Sequence, residues 1–136
     1  MSKLKSELSV RNQYYIPKHR YYELRHFCLQ YPEWRVARNA VGCISSTDIS
    51  GVSVKQNCSD PVARAAEMRL FYENRMNMID RIAKETDPSL YSYIFKGVTE
   101  GLSYDILHAR MDIPCCREVY YEAYRRFFWL LDRERN

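Results

Sequence analysis

Apolar residues recur every three or four positions along most of this chain, and the elements that this spacing predicts are helices. After Pro17, whose missing N–H suits a first helical turn, Tyr21, Leu24, Cys28 and Tyr31 hold that spacing. Pro32 ends or bends this helix, and Glu33 to Ala37 can resume it. The best-patterned segment starts at Asp60-Pro61, an N-cap followed by proline at the first helical position. Its stripe is Ala65, Met68, Tyr72, Met76, Ile79 and Ala83, and it ends near Asp87-Pro88. Leu90 to Val98 predicts a short apolar helix with Gly97 as a tolerated weak point and Gly101 as its stop. No segment alternates with period two for long enough to predict a strand, so the fold class is all-α.

Asn39 to Asp60 lacks a helical period and carries Gly42, Gly51 and several Ser, which is loop composition. The expected organisation is therefore a basic arm and helix over 1–38, a linker over 39–60 and a helical unit over 61–136. The long stripe in that unit has the length for self-association, but packing onto the chain's own helices is the preferred reading.

The last third reads as a helix-turn-helix at about 103–136. Ser103 caps a helix running to about Met111, Asp112-Ile113-Pro114 is the turn, and Ile113 is its apolar plug. A longer helix follows from near Cys116 to about Arg133. At 100° per residue, Val119, Ala123, Phe127 and Leu130 share the side expected to face the core. Arg117, Tyr121 and Arg125 then form an outward row at i, i+4 and i+8, with Tyr124 beside it. Arg can donate in bidentate fashion to guanine and Tyr can reach a phosphate, so this row is the candidate DNA reader. Arg126 and Arg110 lie off the row as phosphate candidates. The competing reading is a solvated face of i,i+4 ion pairs among Arg117, Glu118, Tyr121, Glu122 and Arg125.

Charge qualifies that picture. The 136 residues carry a net charge of +4, made of +5 in residues 1–38, −1 in residues 39–102 and none net in residues 103–136. Phosphate affinity would then fall on an N-terminal set comprising Lys3, Lys5, Arg11, Lys18 and Arg20, although a solvated arm is the commoner outcome for such a segment. Twelve Tyr, five Phe and two Trp exceed what a small core needs and point to surfaces that meet partners. Phe128 and Trp129 could form such a surface, but cover by the N-terminal helix and its tyrosines is the favoured expectation.

The order of motifs adds a resemblance. Gly101-Leu102-Ser103-Tyr104, with Ile106, Met111 and Ile113, resembles the opening of region 4 of sigma factors. Asp60-Pro61, Asp87-Pro88-Ser89-Leu90-Tyr91, Val98-Thr99-Glu100-Gly101, Ile113-Pro114-Cys115 and Tyr120-Tyr121 to Arg125-Arg126-Phe127 are similar to phage and prophage late-gene transcriptional regulators of the ArpU and RinA type. The block from Tyr22 to Trp34 fits the same set. The resemblance implies promoter binding that switches on phage genes in a bacterial host. Duplex DNA is then the partner, with RNA polymerase or a second copy as further ones. Two departures stand out: Asp112 occupies the position of the turn glycine, and Val119 falls one residue late.

Other chemistries find little support. Cys28, Cys43 and Cys58 are about fifteen residues apart without a paired spacing, so no metal or other cofactor is expected. Cys115 and Cys116 are read as small packing residues of the turn rather than a redox pair. His19, His26 and His108 lack catalytic partners and no phosphate-cradling glycine motif occurs, so no enzyme is expected. No apolar run reaches the length of a bilayer span and no leader pattern opens the chain, hence a cytoplasmic expectation without membrane contact. The alternatives to a DNA-binding regulator are a phage protein-interaction factor that inhibits or adapts a host nucleic-acid machine, and a small DNA-packaging subunit.

Overall fold

A computed structural model describes residues 12–48 and 61–135, and among these residues the chain is helical without strands. The helices are α1 (Lys18–Leu29), α2 (Tyr31–Asp48), α3 (Pro61–Thr86), α4 (Tyr91–Glu100), α5 (Tyr104–Met111) and α6 (Arg117–Glu134). A 3₁₀ turn, Pro88–Leu90, precedes α4. Asp87 starts it by accepting hydrogen bonds from the Ser89 N–H at 3.0 Å and the Ser89 hydroxyl at 2.7 Å.

Two units are distinguishable. One comprises the chain up to Gln30 together with Ile79 onward, and the other is Tyr31–Met78. In the first, α1 packs against α4 and α6, while α4, α5 and α6 pack on one another. Its core holds Leu24, Phe27 and Cys28 from α1, with Ile79, Ile82 and Ala83 from the end of α3. Ile94 and Val98 of α4 and Leu107 of α5 are buried as well. From α6 come Tyr120, Ala123, Tyr124, Phe127, Phe128 and Leu131, of which Tyr120, Phe127 and Phe128 are the largest fully buried side chains. Each such ring is worth roughly 2–3 kcal/mol relative to an exposed one.

In the second unit Tyr31 and Trp34 are buried, Arg35 lies over the Tyr31 ring, and Arg75 lies over both Trp34 and Phe71. The α3 stripe splits accordingly. Met76, Ile79 and Ala83 are buried, whereas Met68 is exposed.

Three expectations change. Residues 39–48 are helical, not part of a linker, because α2 continues through them. Trp34, Ala37 and Val41 hold the helical spacing, and the moderate propensity cost of Ser and Thr is not enough to end a helix once formed. Residues 49–60, the rest of that stretch, lie outside the described residues, as do Lys3, Lys5 and Arg11 of the arm. The arm's last residues are ordered: Ile16 is buried, and the Tyr14 ring sits 5.5 Å from that of Trp129.

Gly97 is the third. It is a requirement of the packing, because a Cβ there would overlap the Tyr120 hydroxyl. Gly97→Ala should therefore cost ~1–3 kcal/mol through overpacking, despite alanine's better helix propensity. Urea unfolding in a Tyr120→Phe background is expected to recover most of that loss. An equal cost in both backgrounds would show that the hydroxyl is not the obstacle.

Candidate nucleic-acid interface

The connection between α4, α5 and α6 is built from local signals that the sequence carries. Gly101 ends α4 at φ 70°, in the left-handed region that glycine adopts without strain. Ser103 caps α5, its hydroxyl accepting from the Ile106 N–H at 3.3 Å. Asp112 ends α5 at φ 54°, and its N–H donates to the His108 carbonyl at 3.2 Å. A short polar side chain tolerates this conformation, so the departure from glycine is accommodated. Ile113 is buried, as expected of a plug between the helices.

Tyr104 then clamps the turn from both sides. Its hydroxyl donates to the Cys115 carbonyl at 2.6 Å, and its backbone N–H donates to the Tyr121 hydroxyl at 3.2 Å. The Arg117 guanidinium lies 5.3 Å over the Tyr104 ring and donates to Asp105 at 2.6 Å. Burial is the first cause that raises the Tyr104 hydroxyl above its ordinary pKa, followed by the nearby Cys115 and Cys116. Cys115 is half-buried and also raised, first by desolvation and then by Cys116 and Asp87.

The far end of α6 is held differently. Arg20 of α1 donates to Asp132 at 2.6 Å, and this hydrogen bond is the main cause that raises its pKa. Arg81 donates to Glu134 at 3.0 Å. Tyr21 and Tyr124 share a buried hydroxyl–hydroxyl bond of 2.9 Å, and the Tyr21 ring meets Phe128 edge-on at 5.3 Å. Phe128 and Trp129 are thus covered, the first by Tyr21 and the second by Tyr14, as the sequence led us to expect.

These contacts rotate α6 by most of one residue step from its expected setting. Val119, assigned to the core, is 50% exposed. Tyr120, Tyr124 and Phe128, at i, i+4 and i+8, take the inward side because three rings bury far more apolar area than one valine. Tyr124 is correspondingly a core residue with its hydroxyl bonded inside, not a DNA contact. Arg20 is likewise a strut to Asp132 and Glu23 rather than an open phosphate ligand.

The remaining candidates lie on three helices, with Arg117, Tyr121, Arg125 and Arg126 on α6, Arg110 on α5 and Lys18 on α1. Arg117 is exposed but engaged with Asp105, Tyr121 is half-buried with its hydroxyl turned to Tyr104, and Arg125 is half-buried with its Nε enclosed. Arg110 and Arg126 are exposed, and Lys18 is exposed at the start of α1. The outward side of the first two turns of α6 is made of Glu118, Val119 and Glu122, leading to Arg126. Sequence reasoning named Arg126 as a phosphate candidate and Glu118 and Glu122 as members of a solvated face, but it assigned Val119 to the core, because a valine at helical spacing reads as core.

Among the described residues no group of three or more His, Cys, Asp or Glu could hold a metal ion, and no helix is long and apolar enough to cross a membrane. No family model, curated protein or solved structure matches the chain.

Tyr124→Phe separates the two roles considered for that residue. It should lower stability by ~1–2 kcal/mol in urea unfolding, since it removes the buried hydroxyl–hydroxyl bond between Tyr21 and Tyr124. The outward face is untouched, so any nucleic-acid affinity should remain within twofold. A stability-neutral Tyr124→Phe that lost such affinity would return the residue to the interface.

Proposed function

We propose that the protein is a DNA-binding transcriptional regulator of phage or prophage origin, working in the bacterial cytoplasm, that lays α6 in the major groove of duplex DNA. The observation that carries this reading is the outward side of the first two turns of α6. The helix is held at its start by Tyr104 and Asp105 and at its end by Arg20 and Arg81, while Glu118, Val119 and Glu122 face outward beyond a capped, left-handed turn. A short helix, a plugged turn and a longer helix with an exposed N-terminal half are the parts of a helix-turn-helix reader. The order of motifs that resembles sigma region 4 and the ArpU and RinA regulators supports the same reading and is the source of its phage origin.

Within it, Arg126 and Arg110 contact phosphates. Arg117 reaches the duplex by exchanging Asp105 for it, and Arg125 flanks the contact. The expected measurement is a titration of full-length protein with promoter-region duplex between low and physiological salt. Arg126→Ala and Arg110→Ala should each reduce the log–log salt slope by about one, almost independently of DNA sequence. Arg117→Ala should weaken specific binding by ~1–3 kcal/mol. A wild-type affinity without salt dependence would remove the DNA reading.

One observation favours a second reading, a phage protein-interaction factor. Met68, Leu70 and Phe71 of α3 are exposed, and residues 103–136 carry no net charge. This factor would contact a protein such as RNA polymerase. It predicts a salt-insensitive complex in pull-down and no duplex binding.

A further inference from the structure

The outward row of α6 contains groups that phosphate binding does not explain. Glu118, Val119 and Glu122 are exposed on the first two turns. Among the described residues neither glutamate takes part in an ion pair, although Arg117 on the same turn is held by Asp105. Carboxylates turned toward a phosphate surface repel it, so on a duplex they are useful only against base edges. In the major groove a carboxylate finds its donor in the cytosine N4 amino group, while an exposed valine matches the thymine methyl. The rise from Glu118 to Glu122 is about 6 Å. That is close to two base-pair steps of about 3.4 Å.

We infer that Glu118, Val119 and Glu122 are the specificity-determining residues of α6, and that they select a pyrimidine strand containing cytosine and thymine. This inference rests on the duplex-binding reading above. In it the glutamates accept from cytosine amino groups, Val119 packs on a thymine methyl, and Arg110 and Arg126 supply phosphate contacts that carry no sequence information. The carboxylates also weaken attachment to arbitrary DNA, which raises the ratio of specific to non-specific affinity. An alternative origin exists for acids at this position, since carboxylates stabilise a helix N-terminus through its dipole. That origin predicts no base preference.

The test is in vitro selection from random duplexes with full-length protein, followed by titration of selected and random duplexes with wild type, Glu118→Gln, Glu122→Gln and Val119→Ala. The selected sites should carry cytosine and thymine on one strand. Each Glu→Gln change should lower the ratio of selected to random-duplex affinity by ~10-fold while tightening random-duplex binding. Val119→Ala should relax the preference for thymine alone. If wild type selects a sequence and the glutamine variants leave both sequence and ratio unchanged, the row does not read bases and only this inference falls. If wild type shows no salt-dependent duplex binding, the DNA reading falls and this one with it.

Discussion

The burial of one aromatic face of α6 beneath α1 is the constraint on which the C-terminal architecture depends. Tyr120, Tyr124 and Phe128 recur at four-residue spacing, and each needs a partner surface that α5 alone is too short to supply. Residue 97 of α4 makes room for Tyr120 by having no side chain, and Tyr21 of α1 closes over Tyr124 and Phe128. Helix α1, more than fifty residues away in sequence from α4, is therefore an integral part of the core. Long-range burial of this kind costs loop-closure entropy, which grows only slowly with loop length and is outweighed by three buried rings.

Once that face is committed inward, the exposed residues of the helix follow. Rotation about the axis is the single degree of freedom, and it moves Val119 to solvent and Tyr124 to the interior together. The polar contacts then lock the setting at both ends: Tyr104 and Arg117 at the turn, and Arg20 and Arg81 at the last turn. The ion pairs among them all remain partly exposed to solvent and each contributes about 1 kcal/mol or less. They refine a geometry that apolar packing imposes.

Charge is divided in a way that matters for recognition. The basic excess lies in residues 1–38, whereas residues 103–136 are neutral. In the DNA-binding function proposed above, a neutral α6 in an overall basic chain would leave selection among sequences to the helix and attachment to cations elsewhere in the chain. Engaging Arg117 with Asp105 has the same consequence, because a ligand must offer better acceptors than a carboxylate at 2.6 Å to draw it away.

Much of the secondary structure was legible locally. Ser103, Asp112 and Gly101 terminate helices where their side chains or their tolerance of positive φ place them, and Ile113 reads directly as a plug. The all-helical class and the limits of α5 and α6 come from the same short-range signals of spacing and composition. Two things were not local. Residues 39–48 are helical in spite of a serine-rich composition, since propensity differences of a few tenths of a kcal/mol per residue do not end an established helix. The rotation of α6 was hidden because Val119 and Tyr120 are both apolar neighbours on a helix wheel. Only the presence of α1 and the gap at Gly97 decides that the rings go inside and the valine goes out.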